Sequence, residues 1–560
     1  MPDTLVMRML LGLWAAAGAL SAWSQSTPPL DAGAVRQQIE RQRDAFTPPP
    51  AVLPPVSLPL DRRPTAGPGV EVKRFRFEGN SLLSSEQLQP AVRAFVGQTL
   101  DFKGLQRAAD RVAAAYRDAG WVARVYLPEQ DVSEGSITLE VVEARFAGLR
   151  FEGALPKHVQ PEAIKHYFTA RQNVGQPLNA RALDRALLLV DDLPGVSVAG
   201  TLVPGQADGD TALVLQTADD ALFNGDLGLD NLGARSLGSL RATANLTVHN
   251  SGGQGESLSL NLLRTQGSDY TRVALSVPVG YQGSRLSVSV SDMSYRVIRG
   301  PGYNSAAQIH GTSSSLGAEW SHPLWRTSMR NLYFSAGVEN KTFFTQDTQL
   351  RSDYESRSAR VGLSGNQFDG WAGGGVSSAS LHVFSGQLSD MRAHTQLDTI
   401  PRHYRKISYQ FSRQQNLGGN HSLLLSFNGQ QAWQVLDSSE KFYIGGASSV
   451  RAYPASEQGG ERGQVLSAEW RWRVHSAWTA SAFADQGWVL AIPANASDPA
   501  SRVRLQGAGL SLAWRHAQGW NTRLTWARRI DSNPKPTASG TDGDGTLARD
   551  RFWLTAGRQF

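Results

Sequence analysis

The chain contains no cysteine, so disulfides, thiolate nucleophiles and cysteine-ligated metals are all excluded. No internal stretch approaches the roughly 18 consecutive apolar residues that a membrane-spanning helix requires, so any crossing of a membrane must be made by strands. Excess charge of one sign is also scarce. Lys and Arg total 55 against 49 acidic residues over 560 positions, a formal charge of +6, and no basic block of the kind that grips nucleic acid is present. Nucleic acid is therefore not an expected partner. Catalytic signatures are missing too: there is no G-x-S-x-G elbow, no P-loop and no H-E-x-x-H, and the 11 His residues do not cluster at ligand spacing. Asp542 and Asp544, like Asp208 and Asp210, stand in Gly-containing turns but lack the remaining ligands of a calcium loop, and are expected to be hydrated turns. No metal and no cofactor is expected.

The amino terminus carries an address. Arg8 precedes an apolar run from Met9 to Leu20, and the small residues Ala22 and Ser24 flank Trp23 in a pattern suited to cleavage before Gln25. Residues 1–24 are expected to be a secretory signal; a buried helix is disfavoured by the Pro-rich sequence that soon follows. In residues 25–46, the stretch from Asp31 to Phe46 has good helix formers, Asp31 as an amino-terminal cap, and a sparse apolar line of Val35, Ile39 and Phe46. A lone helix that polar is either disordered or sits in wet surroundings, and composition by itself favours disorder. Residues 47–69 contain eight prolines and form a stiff, extended linker. At about 3.1 Å per residue it reaches on the order of 70 Å, more than the roughly 40 to 45 Å of a bilayer with its headgroups.

An internal repeat follows. The segment Arg74, Phe75, Arg76, Phe77, Glu78, Gly79 resembles Leu149, Arg150, Phe151, Glu152, Gly153, which lies 74 residues on. After the first copy, Leu105, Ala109, Val112 and Tyr116 recur at helical spacing, Gly120 ends the helix, and strand-like runs span Trp121 to Val132 and Ser136 to Arg145. After the second, Leu183, Ala186, Leu187 and Val190 make a helix face, Pro194 and Gly195 end it, and Val196 to Val203 pairs with Thr211 to Gln216. Two modules are expected, residues 70–146 and 147–219. Each leaves strand edges that can accept an extended guest polypeptide, the alternative being that both are spacers.

From residue 220 to 560 the chain reads as runs of roughly ten residues with alternating apolar character. Leu258, Leu260 and Leu262 alternate with polar residues, as do Leu286, Val288 and Val290; Leu466, Ala468, Trp470, Trp472 and Val474 alternate with Ser467, Glu469, Arg471 and Arg473. Alternation alone suits a soluble sandwich or a membrane barrel. The distribution of Trp separates them: 12 of the 15 lie between Trp320 and Trp553, many at strand ends, as in the aromatic girdles of a transmembrane β-barrel. The last run places Phe552, Leu554, Ala556 and the terminal Phe560 on one face, interrupted by Arg558. About sixteen antiparallel strands are expected.

Between the strands ending at Trp433 and beginning at Gln464 lies a long connection with Phe442, Tyr443, Ile444, Gly445, Gly446 and then Val450, Arg451, Ala452, Tyr453; a further strand carries Phe483, Asp485 and Gly487 on one face. In these motifs and in the order of its parts, the chain resembles the TpsB transporters of two-partner secretion, the haemolysin and filamentous-haemagglutinin secretion/activation proteins of the outer-membrane insertion porin superfamily. The family's loop motif has Gly where Ala452 stands, which raises the question of a positive φ there. The resemblance implies an N-terminal plug helix, two polypeptide-transport-associated α/β modules in the periplasm, a sixteen-stranded outer-membrane barrel, and a loop folded into the lumen with Arg451 paired to Asp485. It also implies secretion of an unfolded large exoprotein of adhesin or haemolysin type, bound by the modules, with outer-membrane lipids and the barrel assembly machinery as further partners and no enzymatic activity. The alternatives are a barrel assembly factor of the same superfamily, a porin, and a barrel hydrolase whose Ser and His would meet only in the fold.

Overall fold

The computed structural model describes residues 31–44, 69–207, 209–250, 252–300, 308–348, 351–390, 400–492 and 501–560. The expected signal, all but the last residue of the Pro-rich linker, Phe46 and Asp208 lie outside the described residues.

Sixteen strands, from Phe223–Asp230 to Asp550–Gln559, form one closed antiparallel barrel in which each strand pairs with its sequence neighbours and the last pairs with the first. Closure satisfies the backbone groups that lipid could not. The alternation in the sequence becomes an inside and an outside: Leu466, Trp470, Trp472 and Val474 face outward, while Glu469 is buried in the interior. Leu258, Leu262, Leu286, Val288 and Val290 are exposed in the same way. On the closing strand Phe552, Leu554 and Phe560 all face outward. Arg558, which breaks their apolar line, lies with its guanidinium 5.3 Å from the centre of the Trp520 ring. A cation over an indole at the barrel rim keeps its charge near the headgroups.

Ahead of the barrel stand two small modules of like topology. In the first, Arg74–Glu78 runs parallel to Ser136–Glu143, which pairs antiparallel with Ala123–Tyr126, and helices Ser85–Val92 and Phe102–Ala119 cover one face. Leu105, Ala109, Val112 and Tyr116 pack into this core with Phe75, Ile137 and Leu139. Asp101 caps the longer helix at the Gly104 N–H and Gly120 ends it at φ 93°. The strand expected from Trp121 to Val132 is only Ala123–Tyr126, because Pro128 has no N–H for the ladder. Beyond it the Gln130 side chain takes over, donating to Thr138 O and accepting from Thr138 N–H. In the second module Arg145–Phe151 is parallel to Asp210–Asp219, which pairs antiparallel with Val196–Pro204. That opening strand begins at Arg145, whose N–H bonds Gly209 O, so the second sheet starts two residues before the expected boundary.

The second module is fastened to the periplasmic turns of the barrel. Arg326 donates twice to Asp192, both at 2.7 Å, Arg185 donates to Pro323 O at 2.6 Å, and the ring of Tyr281 packs between His166 and Tyr167. The first module is braced internally by Glu143, which accepts from both the N–H and the hydroxyl of Ser81, from Leu82 N–H at 2.7 Å and from the Tyr116 hydroxyl at 2.8 Å. Burial opposes ionisation of Glu143, but these donors outweigh it and hold the carboxyl below its usual range. Such a group stabilises the fold above its unfolded-state pKa and loses that contribution as pH falls through the lower native value. Hydrogen-exchange protection factors over residues 70–144, taken relative to the intrinsic rate at each pH, are expected to fall on acidification in the natural protein, and Glu143→Gln is expected to start with lower protection at neutral pH and to show a smaller acid response.

Candidate functional site in the barrel lumen

The long connection after the strand His421–Ala432 does not remain outside. It turns at Ser438–Glu440, forms a short hairpin from Phe442–Ile444 and Gln458–Gly460, and fills the lumen. Its apolar residues make their own core there: Phe442, Ile444, Val450, Ala452 and Tyr453 pack on Val465, Phe483, Val489, Val503, Leu505 and Ala527 of the wall. An inward-facing apolar patch on the wall gives this strap a seat.

Arg451 is the polar centre of the seat. Its Nε and Nη2 donate to the two oxygens of Asp485 at 2.8 Å each, its backbone N–H donates to the same carboxylate at 3.1 Å, and Nη1 donates to Glu469 at 2.8 Å. The guanidinium also lies 3.3 Å from the centre of the Phe483 ring, and Nη2 reaches the Ser467 hydroxyl. Asp485 is 1% exposed, and a charge-assisted fork of this kind compensates for its removal from water. Gly487 has a steric role, since a Cβ there would come within 2.9 Å of Val450. Ala452 is not among the residues with positive φ, so its methyl causes no backbone strain. It occupies space left by Gly507, where a Cβ would approach the Ala452 Cβ to 2.5 Å.

The strap is held elsewhere as well. Glu440, on its first turn, pairs with Lys406 at 2.7 Å and Lys341 at 3.7 Å, both on barrel strands. Asp542 is fully buried against Arg529 and Arg551, and Asp544 pairs with Arg551. These two aspartates are therefore not in the hydrated turn that the sequence suggested. Two arginines on the ends of adjacent strands draw the loop inward, a proximity that no local motif records.

A helix, Ala32–Asp44, lies in the lumen against the strap and the wall. Composition favoured disorder, but the lumen offers polar partners that bulk sequence statistics do not include. Asp31 caps Ala34 N–H at 2.8 Å and accepts from the Ser438 hydroxyl at 2.7 Å; Arg36 donates to the hydroxyls of Ser291, Ser313 and Ser315. Gln37 donates to Lys441 O and Arg41 to Tyr443 O. Gly33 allows the close approach, because a Cβ there would meet the Ser438 Oγ at 2.7 Å and the Ser439 backbone at 2.9 Å. Val35 and Ile39 are buried beside Tyr270, Met293 and Tyr295, whereas Phe46, the third residue of the expected apolar line, lies outside the described residues.

The structure thus brings Val450, Arg451, Ala452 and Tyr453 to Phe483, Asp485 and Gly487, and it packs Val35 and Ile39 in a separate cluster with Tyr270, Met293 and Tyr295 of the wall. Sequence reasoning missed Glu469, Arg36, Gly33 and Gly507. For Glu469 a signal existed, as an inward charge on the strand adjoining that of Asp485; for the others none did.

A family model described as haemolysin secretion/activation protein ShlB/FhaC/HecB matches residues 209–514, more than half of the chain. The chain belongs to this family. It is an outer-membrane transporter of two-partner secretion, with a sixteen-stranded barrel and periplasmic modules, and it works with a large exoprotein partner. A POTRA domain model of ShlB type matches residues 70–144 of this secretion/activation protein. The Heme/hemopexin transporter protein HuxB of Haemophilus influenzae (strain 86-028NP) is 25% identical over 480 residues, covering 81% of this chain and 82% of that one. The outer membrane transporter CdiB of Escherichia coli O6:K15:H31 (strain 536 / UPEC) is 27% identical over 524 residues, covering 88% and 86%. The solved structure of CdiB from Escherichia coli has a TM-score of 0.73 at 22% identity over 96% of this chain and 100% of that chain. BamA from Haemophilus ducreyi lacking POTRA domains 1-3 shares the fold at a TM-score of 0.53 and 15% identity, covering 88% and 100%.

Two carboxylates on one guanidinium make a definite expectation. Losing one partner of a buried pair costs about 3 to 5 kcal/mol when nothing replaces it. Because Glu469 remains to Arg451, Asp485→Ala should impair secretion less than Arg451→Ala does, and the Asp485→Ala, Glu469→Ala double variant should match Arg451→Ala. Secretion rates at equal amounts of heat-modifiable barrel, combined as mutant cycles, measure this.

Proposed function

We propose that this transporter captures its unfolded exoprotein at the open sheet edges of the modules, passes it through the lumen as the helix and strap yield, and releases it outside. Folding of the exoprotein beyond the membrane then biases passage without nucleotide, and the transporter itself has no enzymatic activity. Lumen helix and strap act as a plug and gate: residues 25–46 are the plug segment, Val35, Ile39 and Phe46 its apolar line, and Val450 to Tyr453 with Phe483, Asp485 and Gly487 the gate. The outward apolar face, including the closing residues Phe552, Leu554 and Phe560, contacts outer-membrane lipids after insertion by the barrel assembly machinery. Residues 1–24 direct export and are removed, and residues 47–69 let the plug segment travel while still tethered to the modules at 70–146 and 147–219.

The observation that carries this reading is the chemistry of the helix contact. Apart from the apolar contacts of Ala32, Val35 and Ile39 and the Arg41 guanidinium over the Phe442 ring, the helix is held by hydrogen bonds to hydroxyls and main-chain oxygens that water can replace. A structural core element would be held by apolar burial instead. The module sheets support the capture step, because Arg74–Glu78 and Ala123–Tyr126 each pair on one side only within their sheet.

Removal of residues 31–46 is expected to leave a folded barrel with raised conductance in planar bilayers, and unchanged conductance would overturn the plug role. Removal of residues 70–146 is expected to abolish secretion while heat-modifiable folding of the barrel survives. Normal export by that truncated protein would reduce the modules to spacers.

A further inference from the structure

The connection between the last two strands, residues 530–549, is an extracellular loop by strand parity, yet it is packed inward over the strap. Its base is firmly clamped. Asp542 Oδ1 accepts from Arg529 Nη1 at 3.1 Å and from Asn533 Nδ2 at 3.0 Å, while Oδ2 accepts from Arg529 Nη2 and from Arg551 Nη2. Asp544 takes the other arm of Arg551 at 2.9 Å. Clamped in this way, the loop presents Gly543 and Asn533 to the strap.

The strap answers with Glu457. This carboxyl is 2% exposed, and among the described residues it has no Lys or Arg within ion-pair distance. Its two oxygens accept the Gly543 N–H at 3.0 Å and Oε1 accepts from Asn533 Nδ2 at 2.5 Å. Two further contacts join strap and loop: the Tyr453 hydroxyl donates to Asp531 O and Gln458 Nε2 donates to Lys535 O at 3.3 Å; at the loop's base the guanidinium of Arg529, the last residue of its strand, lies 4.8 Å from the centre of the Tyr453 ring. A cavity of about 430 Å³ adjoins this seam, bordered by Val35 and Gln38 of the helix, Glu457 of the strap and Gly543 and Thr546 of the loop. The seam therefore has space beside it.

The two halves of this arrangement differ in strength. The loop is tied to its own strands by paired charges, whereas it is tied to the strap by hydrogen bonds to a carboxylate with no cation beside it and Asp542 nearby. Charge-assisted forks are the stronger bonds, and a buried carboxylate without a cation is poorly compensated. Parting should therefore occur between Glu457 and the loop before the loop leaves its strands.

We propose that Glu457 is a positioning residue of the transport gate and that the loop carrying Asp542 and Gly543 is its keeper: polypeptide passes only after Glu457 has parted from Gly543 and Asn533. This inference rests on the transport reading and adds a second hold on the strap, separate from that at Arg451.

The absence of cysteine allows a direct test in the full-length protein in outer membranes. Gln458→Cys combined with Lys535→Cys, joined by a reducible bismaleimide, should stop secretion in proportion to the crosslinked fraction, and reduction should restore it. Secretion that continues at full crosslinking overturns the proposal. In planar bilayers Glu457→Ala should raise the open-channel population about tenfold, the scale of one or two lost hydrogen bonds, while Glu457→Gln, which keeps an acceptor, stays near the natural level. Quiet channels with Glu457→Ala also overturn it. If the single cysteine variants themselves fail to secrete, the bilayer comparison decides the matter alone, since it requires no exoprotein and is independent of the transport reading.

Discussion

A closed sheet of sixteen strands satisfies its own backbone in lipid, but in doing so it encloses a lumen too wide for inward side chains alone to fill. Every other feature of the molecule answers to that width. The strap, the lumen helix and the last extracellular loop are three segments brought inside from outside the wall, and each is held by groups that the inward face of the strands happens to offer. The wall supplies an apolar patch around Val465 and Phe483, a serine cluster at Ser291, Ser313 and Ser315, and paired charges at Asp485, Glu469, Lys341 and Lys406.

These attachments are graded. Arg451 is held by two carboxylates and an aromatic face, and Glu440 by two lysines, so the strap is fixed at both ends by buried charges whose loss is costly. Beyond the short apolar line of Ala32, Val35 and Ile39, the helix rests largely on neutral hydroxyls and carbonyls, which exchange readily with water. With such grading the helix is the more easily detached of the two segments. The close approach at Gly33 ties the two together sterically, so movement of Ser438 and Ser439 would disturb the helix in turn.

Outside the barrel the same economy of contacts applies. The second module is joined to the periplasmic turns through Asp192 with Arg326 and through Tyr281, which sets its sheet at the mouth of the barrel. The first module contacts the second through main-chain bonds near Trp121, Val122 and Ala180.

Period and punctuation determined a large part of this structure. The two-residue alternation of Leu466 to Val474 determined an inside and an outside, the repeat of Phe75–Gly79 at Leu149–Gly153 determined two like sheets, and the spacing of Leu105 to Tyr116 with Gly120 determined a helix and its end. These are local signals, set by hydrogen bonding along the chain and by which face is apolar. The Arg451 and Asp485 contact was legible only through its family motif. Tertiary structure decided the rest: that a polar helix is ordered at all, that Glu469 shares Arg451, that Gly507 makes room for Ala452, and that Asp542 is buried rather than hydrated. In each of these cases the partner lies on another element, from the strands flanking its own loop for Asp542 to strands more than 250 residues away for Arg36. The energy of a buried polar group depends on what closes around it, and in this chain that is fixed only when the barrel closes.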